Sequence, residues 1–159
     1  NSPVVYKVTA EWNEIYEAAK SYFSEKVALY HYYGTANSTF QQYLQGDKVK
    51  YKKYVYALRP LLACKYIEEN HGIPPVRFAD LLGQELPEEQ LEQMEMMLAI
   101  KGRSDEKDLN PVMPVIQKYI EDEIERYGQL AKTMEDNRTE DWTALDKVFL
   151  RILKKAQKK

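Results

Sequence analysis

Apolar residues recur at the spacing of an α-helix along most of this 159-residue chain, and no alternating strand pattern persists. The clearest stripe runs through 111–134, at Val115, Ile116, Tyr119, Ile120, Ile124, Tyr127, Leu130, Ala131 and Met134. Glycine is scarce, and most of the six glycines lie where helices should end. The pattern predicts an all-α fold, a single bundle-like domain of about six helices over residues 1–159.

Capping residues and prolines indicate where the helices begin and end. Candidate N-terminal caps are Thr9, Ser24 and Asn110, ahead of helices over 10–23, 25–44 and 111–134, and a last helix is expected to begin at Thr139. Further helices are expected at 49–70, 76–82 and 87–101. Gly34 is expected to bend or loosen the second helix.

Composition excludes several classes of protein. The formal net charge is −2, which gives no global attraction to nucleic acid or to a membrane. No apolar run approaches the roughly 20 residues of a membrane span, so no membrane partner is expected. The one cysteine, Cys64, excludes an intrachain disulfide and favours a reducing, cytoplasmic location. No signal peptide is visible and the first residue is not Met, so we expect a fragment or a processed product.

Common catalytic motifs are missing from the sequence. It contains no glycine-rich phosphate loop, and one cysteine with two distant histidines does not make a usual zinc site. The carboxylates of 121–125 fall mostly on the polar face of an amphipathic helix, where they are expected to be solvated. The residues alone therefore predict no catalytic residue and no metal ligand.

The segment 48–67, "KVKYKKYVYALRPLLACKYI", combines five lysines and one arginine with mostly aromatic and aliphatic residues. On a helical projection its apolar residues occur almost all round, which is typical of a largely buried central helix. Nine of the 13 tyrosines lie between Tyr22 and Tyr66. Cations on such a helix need partners, because unpaired burial costs several kcal/mol.

Two interpretations of these cations remain open from the residues alone. In the first, they pair with carboxylates or extend their stems to water. In the second, they line a cleft for an anion such as a polyphosphate, with neighbouring tyrosines as stacking faces. The cations concerned are Lys50, Lys52, Lys53 and Arg59.

The segment 48–82, preceded by "SYFSEKVALYHYYGTA", carries a family pattern. A basic pair precedes Tyr-x-Tyr-x-Leu-Arg-Pro-Leu-Leu-Ala, and a Pro-Pro-x-x-Phe segment follows; in this chain these are 52–53, 54–63 and 74–78. The pattern resembles the predicted nucleotidyltransferases of the DNA polymerase β superfamily that are linked to RNA repair in bacteria and phages. The resemblance covers most of residues 2–83 and, more weakly, the later helices.

The chain departs from that superfamily at the catalytic motif. Those enzymes use a Gly-Ser turn and paired aspartates on strands to hold two Mg²⁺ ions, and this sequence has no Gly-Ser dipeptide and no Asp-x-Asp on a strand. The resemblance therefore implies a C-terminal helical region separated from its catalytic core, without catalysis of its own. Whether the chain itself is an enzyme is left undecided.

The resemblance also implies a role for the basic helix. In this superfamily the helical domain forms one side of the nucleoside triphosphate cleft, where its cationic and tyrosine side chains contact the nucleotide. The implied nucleotide- and phosphate-binding residues are Lys50, Lys52, Lys53, Tyr54 and Arg59, with His31 as a lesser candidate. The implied partners are an N-terminal nucleotidyltransferase core, a nucleoside triphosphate and an RNA acceptor, and Mg²⁺ is the expected cofactor of the full-length protein.

Two other functions remain as alternatives. One is a stand-alone helical protein-interaction module that docks through the acidic helix 87–100 or the basic C-terminal tail. The other is a toxin-associated ribonuclease domain, which typically places a histidine five or six residues after an arginine. Here His71 follows Arg59 by twelve positions, which disfavours the ribonuclease.

Overall fold

A computed structural model describes residues 5–103, 105, 108–136 and 138–157. These residues form the helices α1 Ala10–Lys20, α2 Glu25–Tyr43, α3 Tyr51–Asn70, α4 Phe78–Leu82, α5 Glu88–Arg103, α6 Pro114–Thr133 and α7 Thr143–Ala156. Two-residue strands, β1 Lys48–Val49 and β2 Asn110–Pro111, pair antiparallel with Lys48 opposite Pro111. The all-α prediction is confirmed, with seven helices in the described part of the chain.

The chain divides into two compact units. The terminal unit comprises Asn1–Ser24 and Glu135–Lys159, and the central unit comprises Glu25–Met134. The prediction of one domain over residues 1–159 stays a prediction. No helix in the described ranges is long and apolar enough to cross a membrane.

Helix α3 is the most buried element of the central unit, as its apolar residues on nearly every side predict. Its fully buried side chains include Leu58, Leu61 and Ile67. Side chains of α2, α5 and α6 complete the core around it, among them Leu29, Phe40, Met94, Met97, Ile116, Ile120 and Tyr127. Each fully buried Leu, Ile or Met side chain contributes about 1.5–3 kcal/mol through the hydrophobic effect.

Local signals predict some helix ends correctly and others wrongly. Thr9 caps α1 as predicted, because its Oγ1 accepts a hydrogen bond from the Trp12 N–H at 3.2 Å. Asn110 does not cap α6: it lies in β2, and the helix begins at Pro114. A residue before a proline avoids the helical region, so Met113 stays extended and α6 starts late.

Helix α2 runs unbroken through Gly34, where the sequence predicts a bend or a loosening. A methyl group added at Gly34 would have no neighbouring atom within 4 Å. Gly34→Ala is therefore expected to raise the free energy of unfolding by about 1 kcal/mol, the difference in helix propensity between the two residues. Urea denaturation followed by circular dichroism measures the change.

Gly128 of α6 provides the matched control. A methyl group there would lie 3.1 Å from the Tyr33 ring, so the ring must move to admit it. Gly128→Ala is expected to stabilise less than Gly34→Ala or to destabilise, since crowding offsets the gain in propensity. Equal stabilisation by both substitutions would contradict this account of the α6 contact.

Side-chain contacts connect the elements of the terminal unit. Arg151 of α7 pairs with Glu14 of α1 at 2.6 Å. The rings of Tyr22 and Trp142 stack with centroids 4.7 Å apart, and the Tyr22 hydroxyl donates to the Asp141 carbonyl. None of the eleven residues of α1 is fully buried, so the described part of this unit has little core of its own.

Candidate functional site

A groove of about 310 Å³ opens between α2 and α3 in the central unit. Its lining residues are His31, Tyr32, Thr35 and Thr39 of α2, Tyr56, Arg59, Pro60 and Ala63 of α3, and Pro75 and Leu81 after α3. We call this surface the α2–α3 groove. Its volume suits a small ligand, and no aspartate or glutamate is among the ten lining residues.

Helical spacing places the lining residues on facing sides of the two helices. On α3, Tyr56, Arg59 and Ala63 are three or four residues apart, which puts them on one face. On α2, Tyr32, Thr35 and Thr39 follow the same spacing. The groove therefore combines hydroxyl groups, aromatic rings and a cation with the apolar side chains of proline, alanine and leucine.

Arg59 supplies the permanent positive charge of the groove. Its Nη2 donates to the Val76 carbonyl at 2.9 Å, which anchors the side chain to the segment after α3. It forms no ion pair with any carboxylate in the described ranges. A guanidinium has five N–H donors, so most of its donors remain available to an anion.

Lys53 is not among the lining residues, but its ammonium group lies over two tyrosine rings, one of which lines the groove. Its Nζ is 3.4 Å from the ring centroid of Tyr43 and 5.4 Å from that of Tyr56. Both rings are about half exposed, so each cation–π contact is worth roughly 0.5–1 kcal/mol. Because Tyr56 also lines the groove, the charge of Lys53 is kept next to it.

Tyr54 is not among the residues that line the groove, and its implied role as a nucleotide contact stays a prediction. Its side chain is fully buried; its hydroxyl donates to Gln117 Oε1 at 3.0 Å and accepts from the Met113 N–H at 3.2 Å. Burial also raises the pKa of Tyr54. Two residues correspond to about 200° of helical rotation, so Tyr54 and Tyr56 project to opposite sides of α3.

Of the other three candidate residues, one lines the groove and two do not. His31 lines the groove, with its ring edge-on to Tyr32 at 5.4 Å. Lys50 and Lys52 are half-buried near the start of α3 and are not among the lining residues. The structure thus brings His31 and Arg59 together, with Lys53 adjacent through Tyr56.

Sequence reasoning missed several lining residues. Thr35 and Thr39 follow His31 at steps of four, a spacing that could have placed all three on one face of α2. Pro75 and Leu81 join the groove only because the chain after α3 folds back beside it. No periodic signal in the sequence indicates that return.

A second polar cluster connects α3 to α6. Arg126 forms a bidentate pair with Glu68, with both N···O distances 2.8 Å, and a further pair with Glu123 at 3.1 Å. The buried Tyr127 hydroxyl donates to Glu68, and burial raises the pKa of Tyr127. Hydrogen bonding to Arg126 lowers the pKa of Glu68. This cation is neutralised, unlike Arg59, and the cluster serves as a cross-link.

No set of three or more His, Cys, Asp or Glu residues within the described ranges is arranged to hold a metal ion. The groove itself offers no carboxylate ligand.

The fold and groove define an all-α protein with a groove lined by cationic, aromatic and hydroxyl side chains. The chain matches the family model of RlaP, the RNA repair pathway DNA polymerase beta family, over residues 1–151, and it belongs to that family. The resemblance predicted from residues 2–83 is confirmed and extends through the later helices.

One curated relative is the uncharacterized protein YcgL of Bacillus subtilis (strain 168). The two sequences are 34% identical over 156 residues, which are 98% of this chain and 60% of YcgL. The chain therefore spans about 60% of the length of this relative. No solved structure matches the chain.

Proposed function

We propose that this chain is the C-terminal helical region of a polymerase β-type nucleotidyltransferase and that the α2–α3 groove forms one wall of its nucleoside triphosphate cleft. An N-terminal catalytic core with a Gly-Ser turn and paired aspartates would form the opposite wall. The family match supports this arrangement, as does the greater length of YcgL. The chain would bind and orient the nucleotide, and the core would perform the transfer.

The observation that carries the proposal is the placement of Arg59 in a groove lined by no carboxylate. An arginine fork matches phosphate oxygens, and its charge has no competing anion in the groove. The exposed ring of Tyr56 offers a stacking face for a base or sugar. Lys53 and His31 would add donors beside the phosphates.

The groove residues do not fit a Mg²⁺ site, because this ion prefers carboxylate and phosphate oxygens. In this proposal the ligands of Mg²⁺ come from the core and the nucleotide, and the residues of this chain contact the nucleotide only. The acceptor in this proposal is an RNA end, and the compartment is the cytoplasm, where nucleoside triphosphates are available.

Nucleotide binding to the 159-residue chain tests the groove. Arg59→Ala is expected to weaken the binding of a fluorescent ATP or GTP analogue by roughly 10–100-fold, the loss of one or two charge-assisted hydrogen bonds. Arg59→Lys should fall between the two, because it keeps the charge and loses the fork. Fluorescence anisotropy measures the dissociation constants.

Arg103→Ala is the matched control, since Arg103 is an exposed arginine of α5 outside the groove. It should bind nucleotide like the unmodified chain. Equal dissociation constants for Arg59→Ala and Arg103→Ala, with both variants folded by circular dichroism, would contradict the proposed cleft wall.

A further inference from the structure

A second concave surface, of about 460 Å³, lies on α7 of the terminal unit. It is lined by Lys147, Leu150, Arg151, Lys154 and Lys155, and we call it the α7 basic surface. All five side chains are exposed. The four cations recur at steps of four, three and one residues, which places them along one side of the helix.

Two of these four cations have no carboxylate partner among the residues that the structure describes. Arg151 pairs with Glu14 at 2.6 Å, and Lys155 approaches Glu11 at 3.8 Å. Lys147 and Lys154 make no ion pair with any residue that the structure describes. The surface therefore keeps two uncompensated charges, about 10 Å apart along the helix at 1.5 Å per residue.

We propose that the α7 basic surface binds the sugar–phosphate backbone of RNA. The inference rests on the proposed function, in which an RNA end is the acceptor. Exposed cations spaced along one side of a helix match a chain of phosphates. Contacts to phosphate require positive charge and do not depend on the sequence of bases. None of the residues concerned lines the α2–α3 groove, so nucleotide and RNA would be held by different side chains.

The distribution of charged and apolar side chains on α7 favours RNA over an anionic lipid surface. The exposed apolar side chains of Phe149 and Leu153 project at least about 100° away from Lys147 and Lys154 around the helix. The concavity thus contains cations and a single leucine. A phosphate chain can contact the cations alone, whereas a helix that lies in a membrane interface also inserts its apolar side.

RNA binding by the whole 159-residue chain tests the proposal. The probe is a fluorescein-labelled single-stranded RNA of about 12 nucleotides, within the range of known single-strand sites. The double variant Lys147→Gln/Lys154→Gln is expected to bind it about tenfold more weakly at low salt. Between about 50 and 200 mM KCl, the slope of log K against log[salt] should shrink by about 0.7 per lysine removed.

The control is Lys101→Gln/Lys132→Gln, which makes the same change in net charge at exposed lysines of α5 and α6. This pair should keep RNA affinity within about twofold. An equal loss of RNA affinity in both double variants would mean that binding depends on net charge alone, and it would overturn the proposal. Failure of the unmodified chain to bind RNA at low salt would overturn it as well.

Two further probes separate the rival partners. Anionic phospholipid vesicles that bind the chain through Lys147 and Lys154, with RNA unaffected by the double variant, would identify a membrane surface instead. Polyglutamate that displaces RNA at equal charge concentration would identify an acidic protein partner. The fluorescent nucleotide should bind the lysine double variant normally, so the groove and the α7 basic surface can fail independently.

Discussion

Tyr54→Ala is expected to lower the free energy of unfolding by about 3–5 kcal/mol, the usual effect of truncating a buried aromatic side chain. The side chain is fully buried in α3, and its hydroxyl connects to Gln117 and to the Met113 N–H at the start of α6. Truncation leaves a cavity and also leaves the buried Met113 N–H without its acceptor. Urea denaturation followed by circular dichroism measures the loss.

Two phenylalanine variants separate packing from hydrogen bonding. Tyr54→Phe keeps the ring and leaves the Met113 N–H unsatisfied, so it should cost about 1–3 kcal/mol. Tyr43→Phe alters an exposed tyrosine and should stay within about 0.5 kcal/mol. A Tyr54→Ala variant that kept its stability and lost nucleotide binding would contradict this structural account and support the implied role of Tyr54 as a nucleotide contact.

Alkaline destabilisation through Cys64 is the second large effect expected. Burial raises the pKa of the Cys64 thiol from 9.0 to about 12, with a smaller contribution from the charge of Glu123. The folded chain holds this proton more tightly than the unfolded chain, so the thiol's contribution to stability is complete below pH 9. It is lost as the pH rises from 9 to about 12, at about 1.4 kcal/mol per unit, or about 4 kcal/mol in all.

Comparison with Cys64→Ala isolates the contribution of the thiol to the loss of stability in alkali. Burial also raises the pKa of Tyr119 and Tyr127, so the variant should still lose some stability in alkali. Urea titrations at a series of pH values from neutral to strongly alkaline should show a shallower decline for the variant above pH 9. Parallel declines in the two proteins would mean that Cys64 does not carry the effect.

Reactivity gives an independent measure of the same group. At pH 8 a thiol of pKa 12 has about a thousandfold less thiolate than one of pKa 9, and the thiolate is the nucleophile. Cys64 of the native chain should therefore resist iodoacetamide by at least that factor relative to the chain in urea. Rapid labelling without denaturant would show that α3 opens locally.

Local sequence signals account for the helices and for the central place of α3. The cap at Thr9 involves atoms only three residues apart, and the burial of α3 follows from apolar side chains on nearly all its sides. Such signals operate over one or two helical turns, so they can be read without knowing the fold. They failed at Asn110, where pairing with the distant Val49 and the prolines of this segment moved the start of α6.

The sequence by itself determined the all-α class, the family and the candidate cations. Only the tertiary structure decided which cations are neutralised and which face a groove. Local sequence does not distinguish Arg59 from Arg126, yet Arg59 donates to the Val76 carbonyl and Arg126 forms an ion pair with Glu68. A helical projection gives the angle between two side chains on one helix and carries no information about which distant segment covers them. That covering decides whether Tyr54 is core, whether Tyr56 is surface, and where a ligand can bind.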